Sequence, residues 1–294
     1  MQLPIDSRTH IFRPDLADIR LQGRVHAAHY VTGQMARVVS ARLAMFSAAH
    51  PQQSAGQASM SSELRAGEFV DVYERANGIA WVQNRSDGYV GYVAESGLAE
   101  TLADPAWRVN NLLVYVYPEP TVKSVPIDLL PFPARVAVAA DLPNGWSRLA
   151  TGGYVYTHQL ELAATLCADY VFTAGRLLNV PYLWGGRTAQ GIDCSALVQM
   201  ALELAGIDCP RDSDMQRLAF GVAPPSDWSN YPFARGDLVF FPGHVGIMAD
   251  TTHLLHANAS HMRVTSEPLI DVVARGAEIL AIGDGDTLRK KITG

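Results

Sequence analysis

The sequence predicts a multidomain chain in which two small β-barrels precede an α+β domain. Three observations carry this. The stretch "ELRAGEFVDVYERANGIAWVQNRSDGYVGYV" (Glu63 to Val93) holds short alternating apolar runs broken by Gly, Asn and Asp, the pattern of short antiparallel strands. A second stretch, "DLLPFPARVAVAADLPNGWSRLATGGYVYTHQL" (Asp128 to Leu160), repeats the order: Val136 and Val138 match Val70 and Val72, Trp146 matches Trp81, and Tyr154 matches Tyr89. After Leu160 the texture changes to helical spacing and then to a run of apolar strands, the composition of an α+β domain.

The elements follow in order. Residues 1–24 form an N-terminal extension with no assigned role, 25–104 the first barrel, 105–160 the second, and 161–294 the C-terminal domain, with "ETLADPAWRVNN" joining the barrels. The segment "LAATLCADYVFTAGRLLN" has helical spacing that places Cys167 in a core, and "VPYLWGG" ends it. A second helix starts at Cys194, with Asp193 or its neighbour as cap, carries Leu197, Val198, Ala201, Leu202 and Leu204 at helical intervals, and stops at Gly206. Beyond "CPRDSDMQRLA" and a Pro-rich loop, "GDLVFF", "HVGIMA" and "HLLHANA" read as successive strands. "EPLIDVVARG" reads as a short helix and "LRKKITG" as a frayed tail.

Composition excludes several classes. With 294 residues, 48% of them hydrophobic, the chain can bury substantial cores. A net charge of −6 argues against a nucleic-acid partner, which draws a basic surplus gathered into patches. No run approaches the roughly 18 consecutive apolar residues of a membrane span. The first residues have scattered charges and no apolar centre, so the expected compartment is the cytoplasm. Three cysteines, Cys167, Cys194 and Cys209, are too few for a disulfide framework. The sequence gives no oligomeric state.

A free cysteine is usually a small buried hydrophobe, and Cys209 fits that description. Cys194 differs by position: at a helix N-terminus, unpaired N–H groups and the helix dipole favour thiolate, so its pKa is expected to fall. A thiolate attacking an amide also needs a proton donor for the departing amine and a group that orients the donor. Of the nine histidines, His10, His26, His29, His50 and His261 lie in no motif. His244 and His256 flank a hairpin. A turn centred on Asp250 makes residues summing to 500 face each other, and this pair then shares a face. A turn centred half a residue later separates them, so the catalytic reading expects an odd loop or a bulge. His253 has odd separation from both and points away. No Cys-x-x-Cys or His-x-x-x-His spacing supports a metal, and "GIDCSAL" lacks the Gly-x-Ser-x-Gly elbow that a Ser195 nucleophile would need.

The stretches "YLWGGRTAQGIDCSALVQ", "PRDSDMQ", "GDLVFFPGHVGIM" and "LLHANA" together resemble the NlpC/P60 family of papain-like cysteine peptidases, which cut cell-wall peptides, and both barrels resemble bacterial SH3 (SH3b) domains. The resemblance implies Cys194 as nucleophile, His244 as general base and acid, and His256 as the polar residue orienting His244. It implies an oxyanion site at the Cys194 N–H and the Tyr182 hydroxyl. Ala196 stands where the family often has Gly. The layout is similar to γ-D-glutamyl-L-diamino acid endopeptidases acting on muropeptides with a free N-terminal L-Ala, the substrate expected as partner. That likeness implies Asp193, Ser195, Arg211, Asp212 and Ser213 as contacts of the L-Ala-γ-D-Glu portion, with Trp184 beside them and Glu63 and Tyr89 of the first barrel toward the amino end, Tyr92 being an alternate. A free ammonium wants a carboxylate, for which Asp212 is the candidate, and the D-Glu α-carboxylate wants Arg or hydroxyl donors. Without the resemblance, Asp193 is a cap, Arg211 an ion-pair partner and Trp184 a packing residue. No cofactor or metal is implied. With no export signal, the implied role is muropeptide recycling. Two other classes stand beside this one: a different papain-like wall amidase or acyltransferase, and a non-catalytic binder of wall peptides.

Overall fold

The structure, a computed structural model, describes residues 5–49, 59–100, 103–224 and 228–293. It divides into two compact units, Met1–Ala164 and Thr165–Gly294. The division falls four residues beyond the expected end of the second β module at residue 160. His50, the first four residues of the N-terminal extension, and Thr101 and Leu102 of the joining segment lie outside the described residues.

In the first unit, β1 (Leu16–Asp18) and β2 (His29–Val31) pair in parallel. The N-terminal extension is anchored rather than loose. Ile11 packs with Tyr73, Trp81 and Val90, and the Tyr73 hydroxyl donates to the buried Asp18 carboxylate at 2.6 Å. There follow β3 (Gln34–Val38), β4 (Arg42–Phe46), β5 (Met60–Arg65), β6 (Phe69–Ala76), β7 (Ile79–Asn84), β8 (Val90–Ala94) and β9 (Leu98–Ala99), in the sheet order β5-β4-β8-β7-β6-β3-β9. Alternate residues of these strands, including Val38, Met45, Leu64, Val70, Val72, Val82 and Val93, close on one core. Gly91 has a packing reason: a Cβ there would lie 2.3 Å from Met45 Cγ.

The second half of this unit repeats the topology of β3–β9, with the counterpart of β6 divided into two short strands. It comprises β10 (Trp107–Val109), β11 (Leu113–Val116), β12 (Asp128–Pro131), β13 (Arg135–Val136), β14 (Val138–Asp141), β15 (Trp146–Leu149), β16 (Tyr154–Tyr156) and β17 (Leu160–Leu162). As β4 pairs with β5, so β11 pairs with β12; as β6-β7-β8 form an antiparallel meander, so do β14-β15-β16. A short 3-10 turn precedes the closing strand in each half, Glu95–Gly97 before β9 and Thr157–Gln159 before β17, and those strands pair with β3 and β10. Even the register shifts correspond, after Val72 in β6 and after Val138 in β14, the two valines matched by sequence. Trp81 and Trp146 are both buried.

The second unit has α1 (Tyr170–Gly175), a small hairpin of β18 (Arg187–Thr188) and β19 (Gly191–Ile192), α2 (Cys194–Leu204) and α3 (Ser213–Phe220). These are followed by β20 (Leu238–Phe241), β21 (His244–Met248), β22 (His253–Asn258), β23 (Arg263–Pro268), α4 (Leu269–Ala274), β24 (Ala281–Gly283) and α5 (Gly285–Thr293). The antiparallel sheet has the order β23-β22-β21-β20-β24, and α2 packs against β21 and β22.

Three local expectations are corrected. The helix expected across residues 162–179 is confined to α1, because Asp169 caps it by accepting from the Phe172 N–H at 2.9 Å; Cys167 therefore lies outside the helix, half-buried, rather than in the core. "LRKKITG" is not a frayed tail through residue 293, because Asp284 accepts from the Asp286 N–H at 2.9 Å and Leu288 is buried, which together hold α5 in place. In "EPLIDVVARG", the helix begins at Leu269, so Glu267 belongs to β23.

Candidate active site

Cys194 is the first residue of α2 and is 6% exposed. Asp193 caps the helix, its Oδ1 accepting from the Ala196 N–H at 2.8 Å, while its Oδ2 accepts from the Gly185 N–H at 2.9 Å. The same carboxylate receives Arg211 through Nη1 at 3.0 Å and Nη2 at 2.6 Å, and Arg211 Nη1 also donates to Ser195 Oγ at 2.9 Å. Asp193, Ser195 and Arg211 are thus one buried network clamped around the helix start. Gln216 of α3 adds a second tie, donating from Nε2 to the Ser195 carbonyl at 2.9 Å and the Pro210 carbonyl at 2.8 Å.

The histidines meet on the neighbouring strands. β21 and β22 pair as Ile247 with Leu255 and Met248 with Leu254, so the hairpin centres on Thr251 rather than Asp250. The loop remains odd, which keeps His244 and His256 on one face as diagonal rather than directly opposed neighbours. Their rings meet edge to face, with His244 Nε2 and His256 Nδ1 2.8 Å apart. His253 is turned away toward Asp250, with its Nδ1 3.0 Å from that carboxylate. The Val245 N–H, one residue along β21 from His244, points at the Cys194 thiol.

The electrostatics reverse one expectation. The helix N-terminus does not lower Cys194: burial, and next the Asp193 carboxylate, push the thiol up to about 12, against the opposing pull of the Val245 N–H and Arg211. Burial, together with His256 and Arg275, takes His244 down to about 3, and burial also lowers His256. The resting pair is therefore a neutral thiol and a neutral imidazole. Tyr182 is held by a hydrogen bond from its own N–H to the Met262 carbonyl at 2.9 Å, and its phenol is pushed up to about 12 by burial and then by Cys194 and Asp193.

Two residues missed at the sequence level complete the site. Glu267 Oε1 lies 2.8 Å from His256 Nε2, and Arg275 grips both carboxylate oxygens, at 2.7 and 2.9 Å. Burial acts to raise Glu267, but hydrogen bonds from Arg275, His256 and His261 outweigh it and hold the carboxyl down at about 2. The strand register carries the only signal that could have found it: His256 pairs with Thr265, which makes Glu267 its diagonal neighbour. Of the remaining candidates, Asp212 and Ser213 start α3 half-buried, with no capping bond from Asp212, and Trp184 is 63% exposed. In the other unit, Glu63 is buried against Arg42, with Arg42 Nε donating to it at 2.6 Å. Tyr89 belongs to the first β core, whereas Tyr92 is half-buried and stacks on Trp81. Among the described residues no group of three or more His, Cys, Asp or Glu is placed to hold a metal ion, and no helix is long and apolar enough to cross a membrane.

A buried thiol at a helix start and a hydrogen-bonded histidine pair on the antiparallel sheet packed against that helix are the residue types that cysteine hydrolysis requires. Residues 179–273 match the NlpC/P60 family and residues 52–98 match the bacterial dipeptidyl-peptidase SH3 domain. The chain therefore carries an NlpC/P60 domain behind a bacterial SH3 domain, and it is homologous to γ-D-glutamyl-L-lysine dipeptidyl-peptidases. One such protein, from Bacillus cereus, is 27% identical over 207 residues, covering 62% of this chain and 60% of its own. Dipeptidyl-peptidase 6 of Lysinibacillus sphaericus is 36% identical over 121 residues, covering 38% of this chain and 43% of its own. The chain thus spans about half the length of these curated relatives. The crystal structure of an NlpC/P60 family protein from Bacillus cereus shares the fold, with a TM-score of 0.67 at 18% identity over 86% of this chain and 99% of that one.

Proposed function

We propose that this protein is a cysteine peptidase that hydrolyses the γ-D-glutamyl-L-diamino acid bond of cell-wall-derived peptides with a free N-terminal L-Ala, a role in muropeptide recycling in the cytoplasm. In this reading the C-terminal domain is papain-like and both β modules are SH3b barrels, which the shared strand topology supports. The observation that carries the proposal is that Cys194, at the start of α2, meets the N–H of Val245, the residue next to His244, whose Nε2 in turn lies 2.8 Å from His256 Nδ1.

His244, neutral at rest, takes the thiol proton as sulfur attacks the γ-glutamyl carbonyl; because the free thiol and imidazole are both held neutral, proton transfer and attack are coupled. The Cys194 N–H and the Tyr182 hydroxyl donate to the developing oxyanion. The imidazolium returns its proton to the departing amine of the diamino acid. Water, deprotonated by the same histidine, then cleaves the thioester and releases L-Ala-γ-D-Glu. Asp212 is assigned to the substrate ammonium. Ser213, Ser195 and Arg211 are assigned to the D-Glu α-carboxylate, which must share the Arg211 guanidinium with Asp193.

The test is mass spectrometry of purified protein with L-Ala-γ-D-Glu-L-Lys, its diaminopimelate counterpart and their N-acetylated forms. Release of L-Ala-γ-D-Glu from the free-amine peptides alone is expected. Equal cleavage of the acetylated forms would defeat the requirement for a free amine, and cleavage at another bond would favour an amidase.

A further inference from the structure

We propose that Glu267 is a positioning residue which fixes the tautomers of both histidines, acting through His256 to leave the free lone pair of His244 on Nδ1. The proposal rests on the reading of Cys194 as nucleophile but assigns a part that this reading does not contain.

The derivation runs inward from the surface. An ionised carboxylate can only accept hydrogen bonds. Glu267 is held ionised by Arg275, whose Nη1 and Nη2 donate to Oε2 at 2.9 Å and Oε1 at 2.7 Å, and its Oε2 is also 3.3 Å from His261 Nε2. Oε1 lies 2.8 Å from His256 Nε2, so that nitrogen carries the hydrogen. A neutral His256 then has its lone pair on Nδ1, 2.8 Å from His244 Nε2. That contact is a hydrogen bond only if His244 Nε2 is the donor, which leaves the free lone pair of neutral His244 on Nδ1. Burial, which depresses both histidines, agrees with the neutral forms used here. The polarity of the whole chain is thus set by one acceptor at its outer end, in the way a carboxylate sets the imidazole tautomer in hydrolytic triads.

The fold delivers each part separately. β23 brings Glu267 diagonal to His256, and Arg275 caps the C-terminal end of α4, the helix that follows β23 directly. Arg263, paired with Asn258, is on the same strand at the other end of the ladder.

The experiment is nitrogen-15 NMR of the histidine side chains in the full chain, with the two resonance sets assigned by loss in His244→Asn and His256→Asn, alongside kinetics of Glu267→Gln and Glu267→Asp. In the wild type, both His244 and His256 should carry hydrogen on Nε2 and none on Nδ1. Glu267→Gln should lower kcat about 10- to 100-fold with KM changed less than about threefold, the size of loss found when the outer hydrogen-bond partner of a functional histidine is removed one step away from the reacting atoms. Glu267→Asp should recover part of kcat. A wild-type His256 or His244 protonated on Nδ1 would overturn the proposal, as would a Gln variant with unchanged kcat. The wild-type spectrum needs neither substrate nor a change at position 267, so it decides the proposal even if the Glu267 variants fail to fold. Absence of γ-glutamyl cleavage would count against the proposed reaction while leaving the tautomer assignment standing.

Discussion

At the scale of single residues, the sequence places Cys194 at a helix start, but the structure reverses the ionisation expected of it there. A helix N-terminus does favour an anion, yet here the cap is itself a carboxylate, and the thiol is taken out of water. Burial and Asp193 win, so in the proposed reaction thiolate forms by proton transfer to His244 during attack rather than beforehand. This is visible without substrate. Below its pKa, a thiol gains about tenfold in thiolate for each unit of rising pH. With Cys194 near 12, its alkylation by iodoacetamide, followed by peptide mass spectrometry, should still be climbing between pH 8 and pH 10. A rate that levels off near pH 7 would mean a preformed thiolate. Glu267 was illegible for a different reason: it sits before a proline and a helical run, and nothing in residue types alone says that it is the last residue but one of a strand facing His256.

At the scale of elements, the helix start and the hairpin set the geometry. Asp193, Ser195 and Arg211 were read as substrate contacts by resemblance, and as cap and ion pair by their types alone; the structure brings all three into one closed network. Asp193→Asn would leave the Arg211 guanidinium, 1% exposed, without its carboxylate, a change that costs about 3–5 kcal/mol when a buried pair is broken. Urea unfolding followed by circular dichroism should register that loss. A change under about 1 kcal/mol would show that water reaches the arginine and that the network is not a frame for α2. The hairpin was legible in its parity and not in its centre. Periodicity two places alternate residues on a face wherever the turn lies, whereas the turn's centre is decided by Asp250, whose Oδ1 accepts from the Thr252 and His253 N–H groups at 2.7 and 2.8 Å. The short helix α1 was overextended because apolar spacing continues on both sides of it, and only the Asp169 cap marks its start.

At the scale of the whole molecule, the order of a duplicated β module and an α+β domain was open to reading, because internal repetition survives in the residues that pack. Val70 and Val72 keep counterparts in Val136 and Val138, and the matched bulges and 3-10 turns agree; the strand register corrects the other two pairings, setting Tyr154 against Tyr92 rather than Tyr89, and Trp81 against Arg148 rather than Trp146. The N-terminal extension gave no such signal. Its tie to the first module runs through Ile11 and the buried Asp18, single residues without a period. The central claim, that Cys194 carries the acyl group of a γ-D-glutamyl peptide, is tested most directly by quenching the wild type during turnover of L-Ala-γ-D-Glu-L-Lys and measuring the mass of the peptide that contains Cys194. The account predicts an L-Ala-γ-D-Glu acyl adduct there, absent in a folded and inactive Cys194→Ala variant. A Cys194→Ala variant that still turns over the tripeptide, with no adduct in the wild type, would contradict it.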